Sequence, residues 1–115
     1  MAGVVRVADG VRFDVIAPAG FRILAALDWV AQTLGHDITI TSGTDGAHSG
    51  PDDPHHLGCA YDGRTHDLSN TAAKHRLLTY TMGFLGDEKF FGWIEAAGTA
   101  NEHIHVQLRH GATYP

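Results

Sequence analysis

Apolar and polar residues alternate along the first part of the chain. The stretch VVRVADGVRFDVI alternates on both sides of Asp9-Gly10, a dipeptide that favours a two-residue turn with positive φ. This pattern predicts a β-hairpin. The stretch PAGFRILAALDWVAQTLG that follows instead has apolar residues three or four positions apart, at Ile23, Leu27, Val30 and Leu34. That period predicts an amphipathic helix over about residues 19–34, ended by Gly35, with Trp29 in the core.

The rest of the pattern predicts four more strands and a second helix. DITITSG alternates as a short strand whose Ile38 and Ile40 point into the core. A long loop, residues 43–54, separates it from a strand at GCAYD, and such loops in small domains are often functional. The second helix begins at a Ser69 or Asn70 cap. Its predicted apolar face is formed by Ala73, Leu77, Tyr80 and Phe84. KFFGWIEAAGTANEHIHVQLR has the pattern of two strands around a Gly-containing turn.

This order of elements predicts an α+β fold, with two helices packed on a mostly antiparallel sheet. The length of 115 residues suits a single domain, residues 1–115. The net charge of −5 leaves no basic surface for nucleic acid or anionic membranes. No apolar run is long enough to span a membrane, and the first residues lack the pattern of a signal peptide. We therefore expect synthesis in the cytoplasm. The single cysteine, Cys59, excludes an internal disulfide, and we expect a buried, inert thiol.

Two separated stretches carry residues that bind metals. In the last strand, Ile104, Val106 and Leu108 are expected to face the core, which puts His103, His105 and Gln107 together on the other face. A His-x-His pair on a strand also occurs on ordinary solvent-exposed faces. The stretch HHLGCAYD adds His55 and Asp62, whose six intervening residues include Gly58 and Ala60.

A catalytic zinc ion takes three protein ligands of this type and leaves the fourth position to water. His55, Asp62 and His105 would make such a set. Glu102, three positions before His105, would then be placed to reach the water.

Both stretches match motifs of one known family. HHLGCAYD resembles His-x-x-Gly-x-Ala-x-Asp, and EHIH resembles Glu-x-x-His and His-x-His, of the zinc D-Ala-D-Ala carboxypeptidases and phage endolysin L-alanyl-D-glutamate peptidases, whose fold is shared with the hedgehog signalling domain. The resemblance covers residues 19–109. It implies zinc at His55, Asp62 and His105, with Glu102 as general base and His103 helping to stabilise the transition state.

The chain departs from the family at one position. The family commonly has an arginine just after Ser-Gly, whereas this chain has Thr44 and Asp45 there. Arg64 or His48 would replace that arginine in substrate binding.

The resemblance implies a zinc metallopeptidase that hydrolyses peptide bonds of peptidoglycan, acting on the cell wall after release from the cell or as part of a phage particle. The alternative is a noncatalytic, zinc-stabilised binding or virion structural domain of the same fold. The sequence leaves open the bond cleaved, the physiological metal and the oligomeric state.

Overall fold

A computed structural model describes residues 3–114 and contains two helices and a five-stranded sheet. The elements in chain order are β1 (Val5–Val7), α1 (Pro18–Leu34), β2 (Ile38–Ser42), β3 (Ala60–Arg64), α2 (Thr71–Leu85), β4 (Phe90–Glu95) and β5 (His103–Leu108). The chain therefore has the predicted α+β composition. None of the helices among residues 3–114 is long and apolar enough to cross a membrane.

The strands lie in the order β1-β2-β3-β5-β4, so the sheet is mixed. β1 pairs with β2 in parallel, and the other three pairings are antiparallel. Alternate strand residues pack against both helices in one core cluster, among them Ile40, Tyr61, Ile104 and Val106. The opposite face of β3, β5 and β4 therefore carries the remaining alternate residues, and the candidate site lies there.

The predicted hairpin does not form. Asp9 and Gly10 do lie in a turn, closed by the bond from the Val11 backbone N–H to the Ala8 carbonyl at 3.3 Å. The second arm is not a strand, and β1 pairs instead with β2, Val5 opposite Ile38. The second arm is held by the loop after β2, where the Thr44 N–H donates to the Arg12 carbonyl at 2.8 Å. Alternation thus identified extended backbone but not its pairing partner, which long-range contacts decide.

Helix α1 agrees with its prediction and ends at Gly35 in the left-handed conformation, with φ of 65°. Trp29, however, was wrongly expected in the core: it is 43% exposed and packs against Phe84 and Tyr80 on the surface of α2. The apolar side chains of α2 therefore divide between the core and this interhelical contact.

Helix α2 begins after Asn70, whose side chain accepts the Ala73 N–H at 2.8 Å. The buried residues of α2 are Leu77, Thr81 and Leu85, whereas Tyr80 of the predicted face is 37% exposed. Cys59 is buried beneath α1 in the core cluster, and burial raises the pKa of its thiol.

Candidate metal centre

His55, Asp62 and His105 come together on the open face of the sheet. Asp62 of β3 lies directly opposite His105 of β5, because the two strands are antiparallel neighbours in that register. His55 comes from the loop that precedes β3. One Asp62 oxygen, Oδ1, lies 3.3 Å from His55 Nε2 and 2.8 Å from His105 Nδ1. The two distant motifs therefore converge on one carboxylate oxygen, as predicted.

Each imidazole is held by a hydrogen bond on its outer side. His55 Nδ1 lies 3.0 Å from the Gly43 carbonyl, and His105 Nε2 lies 2.8 Å from Gln107 Oε1. Both partners are acceptors, so these two nitrogens carry protons. The opposite nitrogens, His55 Nε2 and His105 Nδ1, consequently face Asp62. Metal-binding histidines usually have such an outer acceptor, which fixes the tautomer and the ring orientation.

The cluster is strongly coupled electrostatically. Burial alone would raise the pKa of Asp62, but hydrogen bonds from His105 and His55 outweigh burial and hold the pKa well below its usual range. For His105, burial lowers the pKa, while the bonds to Asp62 and Gln107 raise it by more. In the absence of a metal, Asp62 is therefore an anion that is hydrogen-bonded to His105, with His55 Nε2 3.3 Å from the same oxygen.

The spacing of these atoms suits a divalent cation. Zinc bonds of about 2.0–2.2 Å in a tetrahedron separate neighbouring ligand atoms by roughly 3.3 Å. The Asp62–His55 distance already matches, and the Asp62–His105 distance would need to lengthen by about half an ångström once the metal replaces the shared proton. The three ligand atoms all lie within 4.8 Å of one another and border an open cavity of about 530 Å³. This group could therefore bind a metal ion and leave one side open to a small molecule.

His103 borders the same cavity and pairs with a carboxylate that the sequence did not single out. His103 Nε2 lies 2.7 Å from Glu95 Oε2 and 3.7 Å from Asp62 Oδ2. Its Nδ1 lies 2.7 Å from the Asn101 carbonyl. Both ring nitrogens of His103 thus face oxygen acceptors. Glu95 is 46% exposed and also borders the cavity, so this pair is accessible to a ligand there.

Glu102 does not reach the cavity that holds the three ligands. Its buried carboxylate lies on the helix side of the sheet, 2.6 Å from Lys74 Nζ of α2 and 2.7 Å from Thr65 Oγ1. The Gly98 N–H donates to the same carboxylate at 3.1 Å. These partners, Lys74 foremost, lower the pKa of Glu102 to about 2. Glu102 therefore joins α2, the end of β3 and the β4–β5 connection, and it lies away from the position that the motif implies.

The two proposed replacements for the family arginine lie on different sides of the cluster. His48 stacks on His55 with ring centroids 4.0 Å apart, and it lines the cavity. Arg64 is exposed at the end of β3, opposite His103, and lines a neighbouring cavity of about 410 Å³. The two cavities meet at His103. Trp93 forms one wall of the first cavity, with its ring centroid 4.5 Å from that of His105.

His56 has a structural role that its sequence position did not reveal. Its two ring nitrogens lie 2.7 Å from the Gly50 carbonyl and 2.6 Å from the Gly46 carbonyl. These carbonyls raise the pKa of His56. The ring thus closes the long loop over residues 46–56, next to the ligand His55.

No protein-family model, curated protein or solved structure matches the chain. The resemblance to the peptidase family therefore rests on the motif residues of the sequence alone.

Proposed function

We propose that this protein is a zinc-dependent peptidase. The observation that carries the proposal is the convergence of His55, Asp62 and His105 beside an open cavity that also contains the His103–Glu95 pair. Two imidazoles and one carboxylate are the ligand types of catalytic zinc sites, although other divalent ions accept the same atoms. Zinc held by these residues would polarise a substrate carbonyl and lower the pKa of a water molecule to about 7.

We assign proton transfer to Glu95 and His103 instead of Glu102. Hydrolysis adds water across the peptide C–N bond, so one proton must leave the water and one must reach the departing amine. Several carboxylates border the cavity. The others are a candidate metal ligand or are bonded to the loop backbone, whereas Glu95 contacts His103. His103 hydrogen-bonds to that carboxylate at 2.7 Å and would pass the proton taken from the water to the departing amine. Glu102 is already committed to Lys74 and Thr65.

The family likeness supports peptidoglycan peptides containing D-amino acids as the substrate class. Arg64 would hold a substrate carboxylate in the cavity next to His103, since its guanidinium is exposed there. His48 would cover the other side of His55. The bond that is cleaved follows from neither group.

The test is amine release from purified peptidoglycan by wild type, Glu95→Gln and Glu102→Gln, with bound zinc measured in each. We expect turnover to fall by about 10²–10⁴-fold in Glu95→Gln, with zinc retained. Glu102→Gln should keep turnover wherever it remains folded. Loss of turnover in folded, zinc-loaded Glu102→Gln, with an active Glu95→Gln, would return the role of general base to Glu102.

A noncatalytic, metal-stabilised binding or virion structural domain is the second candidate. It is favoured by one observation, the placement of Glu102 away from the candidate ligands. Wild-type protein that binds one zinc ion but releases no amine from any wall peptide would support this candidate and exclude the peptidase.

A further inference from the structure

A continuous row of side chains extends from the candidate metal ligands along the open face of β4. The ring of Trp93 lies 4.5 Å from that of His105, and Phe91 stacks on Trp93 with centroids 5.0 Å apart and planes at 19°. The guanidinium carbon of Arg109 lies 4.8 Å from the centre of the Phe91 ring. Three consecutive contacts thus join His105 to Arg109.

The alternation of β4 puts this row on the face opposite the helices. Phe90 is 2% exposed in the core, whereas Phe91 and Trp93 are half-buried on the other face. β4 is also the edge strand of the sheet that residues 3–114 form, where its one neighbour is β5. The row therefore lies along an accessible margin of the sheet, beginning at the cavity that Trp93 lines.

Arg109 is a cation held in place by a backbone carbonyl and an aromatic ring. Its Nε donates to the Glu88 carbonyl at 2.6 Å, and the Phe91 ring supports the guanidinium plane. Within residues 3–114 no carboxylate lies within 4.0 Å of it. Arg109 also lines a second cavity, of about 440 Å³, in which Asp52 is present but does not form an ion pair with it. The four N–H donors of the two terminal nitrogens remain available for an anion.

We propose that Trp93, Phe91 and Arg109 form a subsite for an extended peptide that carries a carboxylate. The inference rests on the proposed function in one respect, that the peptide group to be cleaved lies at His55, Asp62 and His105. Arg109 lies four positions after His105, just past the end of β5, and four positions span about 13 Å in extended chain. An extended peptide has the same rise per residue, so its carboxylate would lie about four residues from the group at the metal. The outward edges of the two rings would contact the aliphatic side chains between these two points, since the ring faces pack on one another, on His105 and on Arg109.

Peptide hydroxamates would measure this spacing, because the hydroxamate fixes one end at the metal. The probes are alanine peptides with a C-terminal hydroxamate and one Glu placed one to six residues from it, each with a Gln counterpart. Uncharged N-acetylglucosamine oligomers are a further probe. A Trp29→Phe background leaves Trp93 as the one tryptophan, since the chain has two. The fluorescence of Trp93 reports binding to the zinc-loaded protein. The test variant is Arg109→Gln, and the control is Arg76→Gln, which changes an exposed arginine of α2.

We expect the peptide with Glu at about the fourth position to bind about fivefold more tightly than its Gln counterpart. Arg109→Gln should remove that preference, and Arg76→Gln should retain it. The subsite proposal would be refuted if Arg109→Gln and Arg76→Gln preferred Glu over Gln peptides equally. It would also be refuted if Trp93 fluorescence responded only to the sugar oligomers. If the hydroxamate itself adds no affinity, the peptidase proposal fails. The subsite can then still be tested with peptides that end in an amide. The question is whether these peptides bind more tightly with Glu than with Gln, and whether Arg109→Gln removes that difference.

Discussion

Gln107 should control how tightly the cluster binds zinc, although it is not a ligand. Its Oε1 accepts from His105 Nε2 at 2.8 Å, and its own amide donates to the Leu108 carbonyl at 3.0 Å. This pair of bonds fixes both the amide and the ring. Gln107→Leu removes the acceptor while keeping a side chain of similar size. The buried Nε2 then has no partner, and the ring can adopt the tautomer in which Nδ1 carries the proton.

The expected size of the effect follows from the burial of both groups. Gln107 is 9% exposed and His105 is 7% exposed, so water cannot readily replace the lost bond. Loss of such an outer partner typically lowers metal affinity by about 10–100-fold. That range corresponds to about 1.4–2.7 kcal/mol, which agrees with about 1.5–3 kcal/mol for a hydrogen bond to a charged group. Gln107→Glu retains an acceptor at the same position and should bind zinc at least as tightly as wild type.

The assay is a zinc titration in competition with a chromophoric chelator at pH 7.5, on wild type, Gln107→Leu and Gln107→Glu. Thermal unfolding in excess chelator shows whether each metal-free variant is folded. Zinc affinity of folded Gln107→Leu within threefold of wild type would refute the orientation of His105 described above. Equal losses in both variants would show that packing at this position, and not the acceptor, is what matters.

Two further predictions follow from the cluster and the loop before it. Zinc must displace the His105 proton, so affinity should be constant at high pH and fall about tenfold per pH unit below the raised pKa of His105. The fall should therefore begin above the ordinary histidine value of 6.5, and an affinity unchanged from pH 8 to pH 5 in the same titration would contradict this. Gly58→Ala should lower stability by roughly 2–4 kcal/mol in chemical denaturation, because φ is 76° and the new Cβ would meet the Val15 carbonyl oxygen. Gly111→Ala is the matched control, with φ of 79° and open space around it, and should cost only about 1–2 kcal/mol. Equal losses in the two glycine variants would exclude the close approach at Val15 as the cause.

Helix α1 and strands β2, β4 and β5 could be predicted because each has a long periodic pattern with a clear end, such as Gly35 after α1. The hairpin at Asp9-Gly10 was wrong because local alternation does not identify which strand will be the neighbour. In the structure β1 pairs with β2, where Val5 lies opposite Ile38, 33 residues further along the chain. Trp29 was misplaced for a related reason: the surface between α1 and α2 exists only once the helices pack.

The three candidate ligands could be found from the sequence because their side-chain types and spacings match a known motif. The position of Glu102 could also have been inferred, since it directly precedes β5 and alternates in step with Ile104 and Val106, which puts it on their side of the sheet. Glu95 could not, because its contact with His103 depends on the register between β4 and β5. The role of Arg109 could not be predicted either, because it depends on the contact between its guanidinium and the Phe91 ring.

Anomalous diffraction at the zinc edge, from crystals grown with one equivalent of zinc, tests the central claim most directly. We predict one peak about 2.0–2.2 Å from His55 Nε2, Asp62 Oδ1 and His105 Nδ1. A zinc ion held by other residues, or no peak at this cluster with zinc present, would contradict the account.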